Sequence, residues 1–327
     1  MQFHAEFTPK VFEKKIKHTD NLLLMGSCFT EQIGAKLSKN KFTLLENPNG
    51  ILFNPVSIAQ SISSYCNKYE YNSKELFYYN ELWGNWQHHT RFSNIDKEKS
   101  LELINASQQQ AGNFIKEADW ILITLGSAFV YQRKDAEKQE YKNVVANCHK
   151  YPTDHFNRRL LSTEEIESQL KGMMEEVAKI NTKAKFIYTI SPVRHLREGF
   201  VENNRSKAAL IQAVHNITNE NVFYFPAYEL VIDDLRDYRF YAEDMMHPNY
   251  AATNYVWEKF IAACIDEPSQ QLMKEINIIN AALNHKPFNP ASEAHKIFLK
   301  ANYHRVKKLQ EGYPYINFEE EATFFNL

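Results

Sequence analysis

Cysteine is scarce and dispersed: Cys28, Cys66, Cys148 and Cys264 are the four in 327 residues, and no two form a C-x-x-C pair. That spacing argues against a disulfide framework and a thiolate zinc site; each cysteine reads as a free thiol, with Cys66, Cys148 and Cys264 expected as small core residues. An excess of one charge is lacking as well. A formal net charge of −2 leaves no electrostatic footprint for nucleic acid or for an anionic membrane surface. No run of about 18 apolar residues is present to span a bilayer. The opening stretch "MQFHAEFTPKVFEKKIKHTD" has no apolar core of signal-peptide length, so the expected location is the cytoplasm. No glycine-rich phosphate loop follows a strand-like run, which argues against nucleotide binding. The twelve histidines include neither an H-x-x-x-H pair nor a Cys/His ligand ladder, and Cys148, His149 and His155 lack a recognised metal spacing. No metal and no cofactor are expected. A small-molecule or carbohydrate ester remains as the partner class, and the oligomeric state is not legible.

What is present is material for a core, since 44% of the residues are hydrophobic. Apolar runs at 21–26, 42–46, 120–126, 185–191 and 221–228 read as buried strands. Stretches of helical period at 30–39, 56–69, 163–181 and 206–219 lie between most of them. "STEE" at 162–165 is a helix-start signature, with Ser162 or Thr163 capping and Glu165 reaching back. The alternation predicts an α/β fold: a three-layer, doubly wound sandwich with a mostly parallel sheet, in which ligands bind beyond the carboxyl ends of the strands. The main domain is expected over 1–267. Two aromatic- and histidine-rich insertions, at about 70–118 and 131–160, would act as pocket walls, and a helical extension would follow over 268–327.

Two pieces could carry chemistry. "LLLMGSCFTEQIG" (22–34) puts Ser27 and Cys28 on a small-residue turn between a strand and a helix, where a nucleophile's own N–H and the helix N-terminus can stabilise an oxyanion. The same turn could equally be a loop in which Ser27 or Thr30 merely caps the helix. The second piece is "AEDMMHPNY", with Asp244 and His247 at i, i+3 before a helix opened by Pro248. That spacing lets a carboxylate orient an imidazole that takes a proton from the nucleophile.

Both pieces together, at the two ends of an α/β pattern, resemble the GDSL/SGNH hydrolase superfamily. More closely, the chain is similar to the GSCFA family, through Gly26-Ser27-Cys28-Phe29-Thr30 and through the stretches at 47–62, 124–131, 189–195 and 238–248. The resemblance covers roughly residues 20 to 260. It implies the nucleophile at the third position of the first block, which is Cys28, with Ser27 as the alternative one residue away; Asp244 and His247 complete the catalytic set. It implies an oxyanion hole from the N–H groups of Cys28 and Gly50. The superfamily's third-block asparagine falls on Ala128, so Ser127, Asn49 or Asn54 would have to supply that donor. A thiol at a helix N-terminus beside a histidine is expected to have a lowered pKa. Gly126, Arg194 and His195 near the strand ends, with Asn49, Asn54, His89 and His149, are the expected substrate-binding residues; His88, Arg91 and Trp86 could line the same wall.

The expected activity is hydrolysis of an ester or thioester, an acylated carbohydrate among the candidates, through a covalent acyl-enzyme. Two alternatives stand beside it, the first motivated by Ala128. One is a weak or inactive module that binds carbohydrate or an acyl ligand, and the other is an acyltransferase to a sugar hydroxyl.

Overall fold

The computed structural model describes residues 5–134 and 143–326, so residues 135–142 of the second predicted insertion lie outside the described residues. The chain begins the fold with β1 (Asn21–Gly26), α1 (Cys28–Lys39), β2 (Thr43–Glu46) and α2 (Pro55–Cys66). A hairpin, β3 (Leu76–Tyr79) and β4 (Leu82–Asn85), precedes α3 (Lys97–Phe114) and β5 (Trp120–Leu125). Next come β6 (Phe129–Arg133), β7 (Val144–Val145), β8 (Phe156–Leu160), α4 (Thr163–Ile180), β9 (Lys185–Ile190), α5 (Phe200–Ile217) and β10 (Val222–Tyr224). A short turn α6 (Ala227–Glu229) and α7 (Tyr250–Cys264) close the sheet-bearing part, and α8 (Glu267–Leu283), α9 (Glu293–Gly312) and α10 (Glu319–Phe325) follow.

Five strands form one parallel sheet in the order β10-β9-β5-β1-β2, which is the doubly wound arrangement with its switch point beside β1. All six residues of β5 are buried, as expected for a strand covered on both faces. The period of two sorts β1 between two cores. Leu23 and Met25 pack with Ile58, Leu170 and Leu210 under α2, α4 and α5. Leu22 and Leu24 pack with Phe29, Ile33, Val256 and Phe260 under α1 and α7. The α/β sandwich expected from the alternation is therefore present. Ser162 and Glu165 make the reciprocal cap that opens α4.

One expectation needs correction. The run 221–228 is a strand only as far as Tyr224, because Phe225 and Pro226 lead straight into α6. The 70–118 insertion is half helix: α3 packs beside α2, and only the β3–β4 hairpin and its neighbours form a flap. The 131–160 insertion carries a three-stranded antiparallel sheet ordered β7-β6-β8. The tail is helical, and Leu272, Ile276, Leu299, Val306, Phe318 and Phe325 give α8–α10 a core of their own. Of the three cysteines expected in the core, Cys264 is buried while Cys66 and Cys148 are half-buried. Among the described residues no helix is long and apolar enough to cross a membrane.

The carboxyl end of β1 depends on Gly26. Its φ is +140°, and a Cβ there would stand 2.2 Å from the carbonyl oxygen of Thr124 on β5. Gly172 in α4 is the opposite case, since a Cβ there meets nothing within 4 Å. Gly26→Ala is therefore expected to destabilise the fold by at least about 2–3 kcal/mol, and Gly172→Ala to stabilise it by up to about 1 kcal/mol. Urea unfolding followed by circular dichroism checks both; equal midpoints for the two variants would contradict the assignment.

Candidate active site

The turn after β1 separates the two possible nucleophiles. Ser27 is fully buried and is the N-cap of α1, its Oγ accepting from the Phe29 N–H at 3.4 Å while its own N–H donates to Thr124 O. Cys28 is the first residue of α1 and is partly exposed. An N–H at this position has no intrahelical acceptor, so it is available to an incoming anion. Asn47 holds the turn from behind, its Oδ1 accepting from the Gly26 N–H and its N–H donating to Leu24 O.

The expected lowering of the thiol pKa is not what the surroundings produce. Burial pushes the Cys28 thiol up, and Glu31 on the first turn of α1 adds to it; the N–H groups of Cys28 and Phe29 and the charge of Lys207 pull the other way and are outweighed.

Asp244 and His247 form the expected pair. The imidazole Nδ1–H donates to Asp244 Oδ2 at 2.6 Å, and Asp244 Oδ1 accepts from the N–H groups of Met246 and His247. Those backbone bonds, with the imidazole, hold the Asp244 carboxyl down to about 2. Both side chains are partly exposed. The helix that follows starts two residues later than Pro248 suggests, with Asn249 as the N-cap of α7. Arg194 braces this loop: its N–H donates to Met246 O, and its guanidinium stacks over Tyr241 at 4.3 Å and Tyr238 at 5.0 Å. Among the described residues neither Cys28 Sγ nor Ser27 Oγ is hydrogen-bonded to His247.

His195 sits between the two pieces. Its ring is edge-on to Phe53, and its Nε2 is 3.4 Å from where a Cβ on Gly126 would be. Nε2 is shielded from solvent with no partner among the described residues. Burial, then the charges of Lys207 and His247, bring its pKa down to about 3, so the ring is neutral at any working pH. Gly126 is required here by close approach, because a side chain would strike Phe53.

Several expected ligands are spent on the frame. Asn49 is fully buried; its amide donates to Ser61 Oγ and Gln87 O, and its Oδ1 accepts from the Tyr65 hydroxyl. Asn54 caps α2 through Ser57. The Gly50 N–H donates to Asn47 O at 2.7 Å in a tight turn, which removes it as an oxyanion donor. Ser127 gives its N–H to Phe53 O, while its hydroxyl accepts from the Phe129 N–H and meets Ser206. His149 Nε2–H donates to Asn85 O, with the ring packed against Phe77 and Trp86. His88 is wholly buried, its Nδ1 on Asn85 Oδ1. Of the flap histidines, His89 alone stays near the turn, its Cβ lying over Gly50 and its ring within the field of Glu31.

Two residues escaped sequence reasoning. Lys207 is 1% exposed and donates to Gly126 O at 2.6 Å and Ser191 O at 2.8 Å. The available signal was its place in the apolar stripe of α5 with Leu210, Ala213 and Val214. Glu46 ends β2 half-buried; burial first and then the charge of Glu31 raise its carboxyl to about 7, against the pull of Arg91. Its sequence context held no signal. Among the described residues no three His, Cys, Asp or Glu side chains converge to hold a metal ion.

The profile of the GSCFA family matches residues 21–260, and that of the GSCFA domain protein, C-terminal domain, matches 276–327. No curated protein matches the chain. Among solved structures, a serine-to-alanine mutant of an acetyl esterase with acetate ion is 10% identical at a TM-score of 0.36, covering 80% of this chain and 100% of that one. A carbohydrate esterase family 3 protein from Talaromyces cellulolyticus is 10% identical at a TM-score of 0.35, with 80% and 99% covered.

Glu46 gives the fold a pH dependence. The native carboxyl titrates near 7 and the unfolded one near 4.5, so the native state holds the extra proton between those values. Its contribution is full below about pH 4.5 and lost as pH rises through about 7. Melting temperatures at pH 5 and pH 8 are expected to show Glu46→Gln gaining on the wild type at pH 8; an equal difference at both pH values would contradict this.

Proposed function

Because the chain belongs to the GSCFA family, we propose that the carboxyl edge of its sheet is an SGNH-like hydrolase site that cleaves an ester or thioester through an acyl-enzyme on Cys28. The observation that carries this reading is the 2.6 Å Asp244–His247 pair, on a loop tied by Arg194 to the carboxyl end of β9, on the same edge of the sheet as the Cys28 turn after β1.

In the proposed sequence, substrate binding brings His247 Nε2 within reach of the Cys28 thiol, a bond the ligand-free site does not make. Because burial raises the thiol pKa, a standing thiolate is disfavoured, and His247 removes the proton as sulfur attacks the carbonyl carbon. Asp244 fixes the tautomer that leaves Nε2 free and stabilises the imidazolium. The Cys28 N–H donates to the oxyanion at the helix N-terminus. His247 then protonates the departing alcohol or thiol. It next takes a proton from water, which attacks the Cys28 thioester and releases the acid. Arg194, His195 and His89 surround the substrate.

The oxyanion hole is thin. Ser127, Asn49, Asn54 and Gly50 are each engaged elsewhere, and loss of one such donor costs about 2.7–4 kcal/mol of transition-state stabilisation. This favours slow turnover as a second reading, with a long-lived acyl-enzyme open to transfer onto a sugar hydroxyl.

With a p-nitrophenyl ester series, His247→Ala is expected to lower kcat/KM by about 10²–10⁴ and Cys28→Ala to abolish turnover. Ser27→Ala should keep the activity and lose about 1 kcal/mol of stability with its cap. Intact-mass analysis after the ester pulse should find the acyl group on Cys28. An acyl or fluorophosphonate adduct on Ser27 would move the nucleophile by one residue, and wild-type rates in His247→Ala would end the hydrolase reading.

A further inference from the structure

We propose a second ligand site outside the catalytic edge: an open groove of about 850 Å³ between α2, α4 and the aromatic flap that binds an oligosaccharide. This inference does not rest on the hydrolase reading. The groove is lined along α2 by Ser63, Ser64 and Asn67 and along α4 by Gln169, Gly172 and Glu176, and it continues past Tyr71, Glu75 and Gln87 into a further 210 Å³ pocket. Volume on this scale suits a small ligand, and the extension suits a chain longer than one ring.

Three observations specify the class. First, two acceptors in the wall, Gln87 Oε1 and Glu176 Oε2, are shielded from solvent and have no hydrogen-bond partner among the described residues. Desolvated acceptors without donors cost free energy, so a ligand toward whose hydroxyl donors these partly exposed side chains turn gains by satisfying them. Second, beside apolar Ala59 and Met173 the polar lining is alcohol, amide and carboxylate, with Glu75, Glu175 and Glu176 against Lys179. That balance repels phosphorylated or carboxylated ligands and leaves neutral polyols. Tyr69, 45% exposed at the groove, offers its ring to the apolar face of a sugar. Third, Gly172 stands in the interior of the 18-residue α4, where glycine costs about 1 kcal/mol relative to alanine, and no packing contact requires it. Its absent side chain keeps the groove floor open.

The test is calorimetric titration of the full chain with cellohexaose, xylohexaose, maltohexaose and N-acetylchitohexaose, and with spermine as a donor-rich cation without hydroxyls. At least one oligosaccharide is expected to bind with Kd below about 1 mM. Gly172→Trp, which fills the floor, should weaken it at least about tenfold, while Gly172→Ala holds it within about threefold. Both variants should keep the ester turnover and cooperative melting of the wild type. Binding of none of the four sugars, or of spermine alone, overturns the proposal. Sugar binding that Gly172→Trp leaves intact also overturns it, by placing the sugar elsewhere. Loss of ester turnover in His247→Ala with unchanged sugar binding separates this site from the catalytic edge.

Discussion

An ammonium group taken out of water costs several kcal/mol unless its donors are met, and the carboxyl edge of this sheet is organised around one such group. Lys207 reaches from α5 to the carbonyl oxygens of Gly126 and Ser191, which lie just beyond β5 and β9. Those two bonds fix the spacing of the loops that carry the site. Gly126 and Ser127 in turn both donate to Phe53 O, so the loop after β2 is drawn onto the same point. From Ser191 the chain runs to Arg194, whose N–H holds Met246 and with it the Asp244–His247 turn. Without a buried cation at 207, the carbonyls of Gly126 and Ser191 on two strand-end loops would lose the donor they share.

The same cation bears on the nucleophile, but only as one weight in a balance. Helix N-terminal N–H groups and Lys207 favour a thiolate at Cys28, while burial and Glu31 disfavour it, and the second pair prevails. A cysteine in this setting behaves more like a serine: it needs a base in the transition state and gains little from a standing charge. That makes the Asp244–His247 pair necessary to the proposed chemistry. Asp244 supplies the constancy, since its carboxylate is held ionised far below neutrality by two backbone N–H groups and the imidazole.

The sheet was legible because each of its strands is an apolar run whose neighbours have helical period, and burial on both faces leaves few other ways to satisfy "WILITLG" or "NLLLMG". Asp244 and His247 were legible because a three-residue spacing is a local property. Asn49, Asn54, Ser127 and His149 were misread for one shared reason. Polar residues beside a candidate motif have the right chemistry for a substrate, but their hydrogen bonds depend on partners such as Gln87, Tyr65, Ser206 and Asn85, which no spacing rule links to them. The lowered thiol pKa failed for a similar reason: the helix dipole is visible in sequence, and the degree of burial that opposes it is not. Lys207 is the reverse case, a charged residue in an apolar stripe, where the local conflict marked a position that ties two strand-end loops together.

Because the asparagines near the β1 turn are consumed by the frame, substrate recognition at the proposed catalytic edge would have to come from the groups left over. On one side stand His89 and Arg91 from the flap with Glu31 and Glu46, a cluster in which Arg91 pairs with Glu31 and lowers the cost of ionising Glu46. On the other stand the Arg194 guanidinium, packed over Tyr241 and Tyr238, and the neutral ring of His195. One flank changes charge near neutrality and the other does not. A substrate's acyl and leaving groups would therefore meet unlike surroundings, with the Glu46 carboxyl a pH-sensitive group on the first flank and the His195 ring an uncharged one on the second.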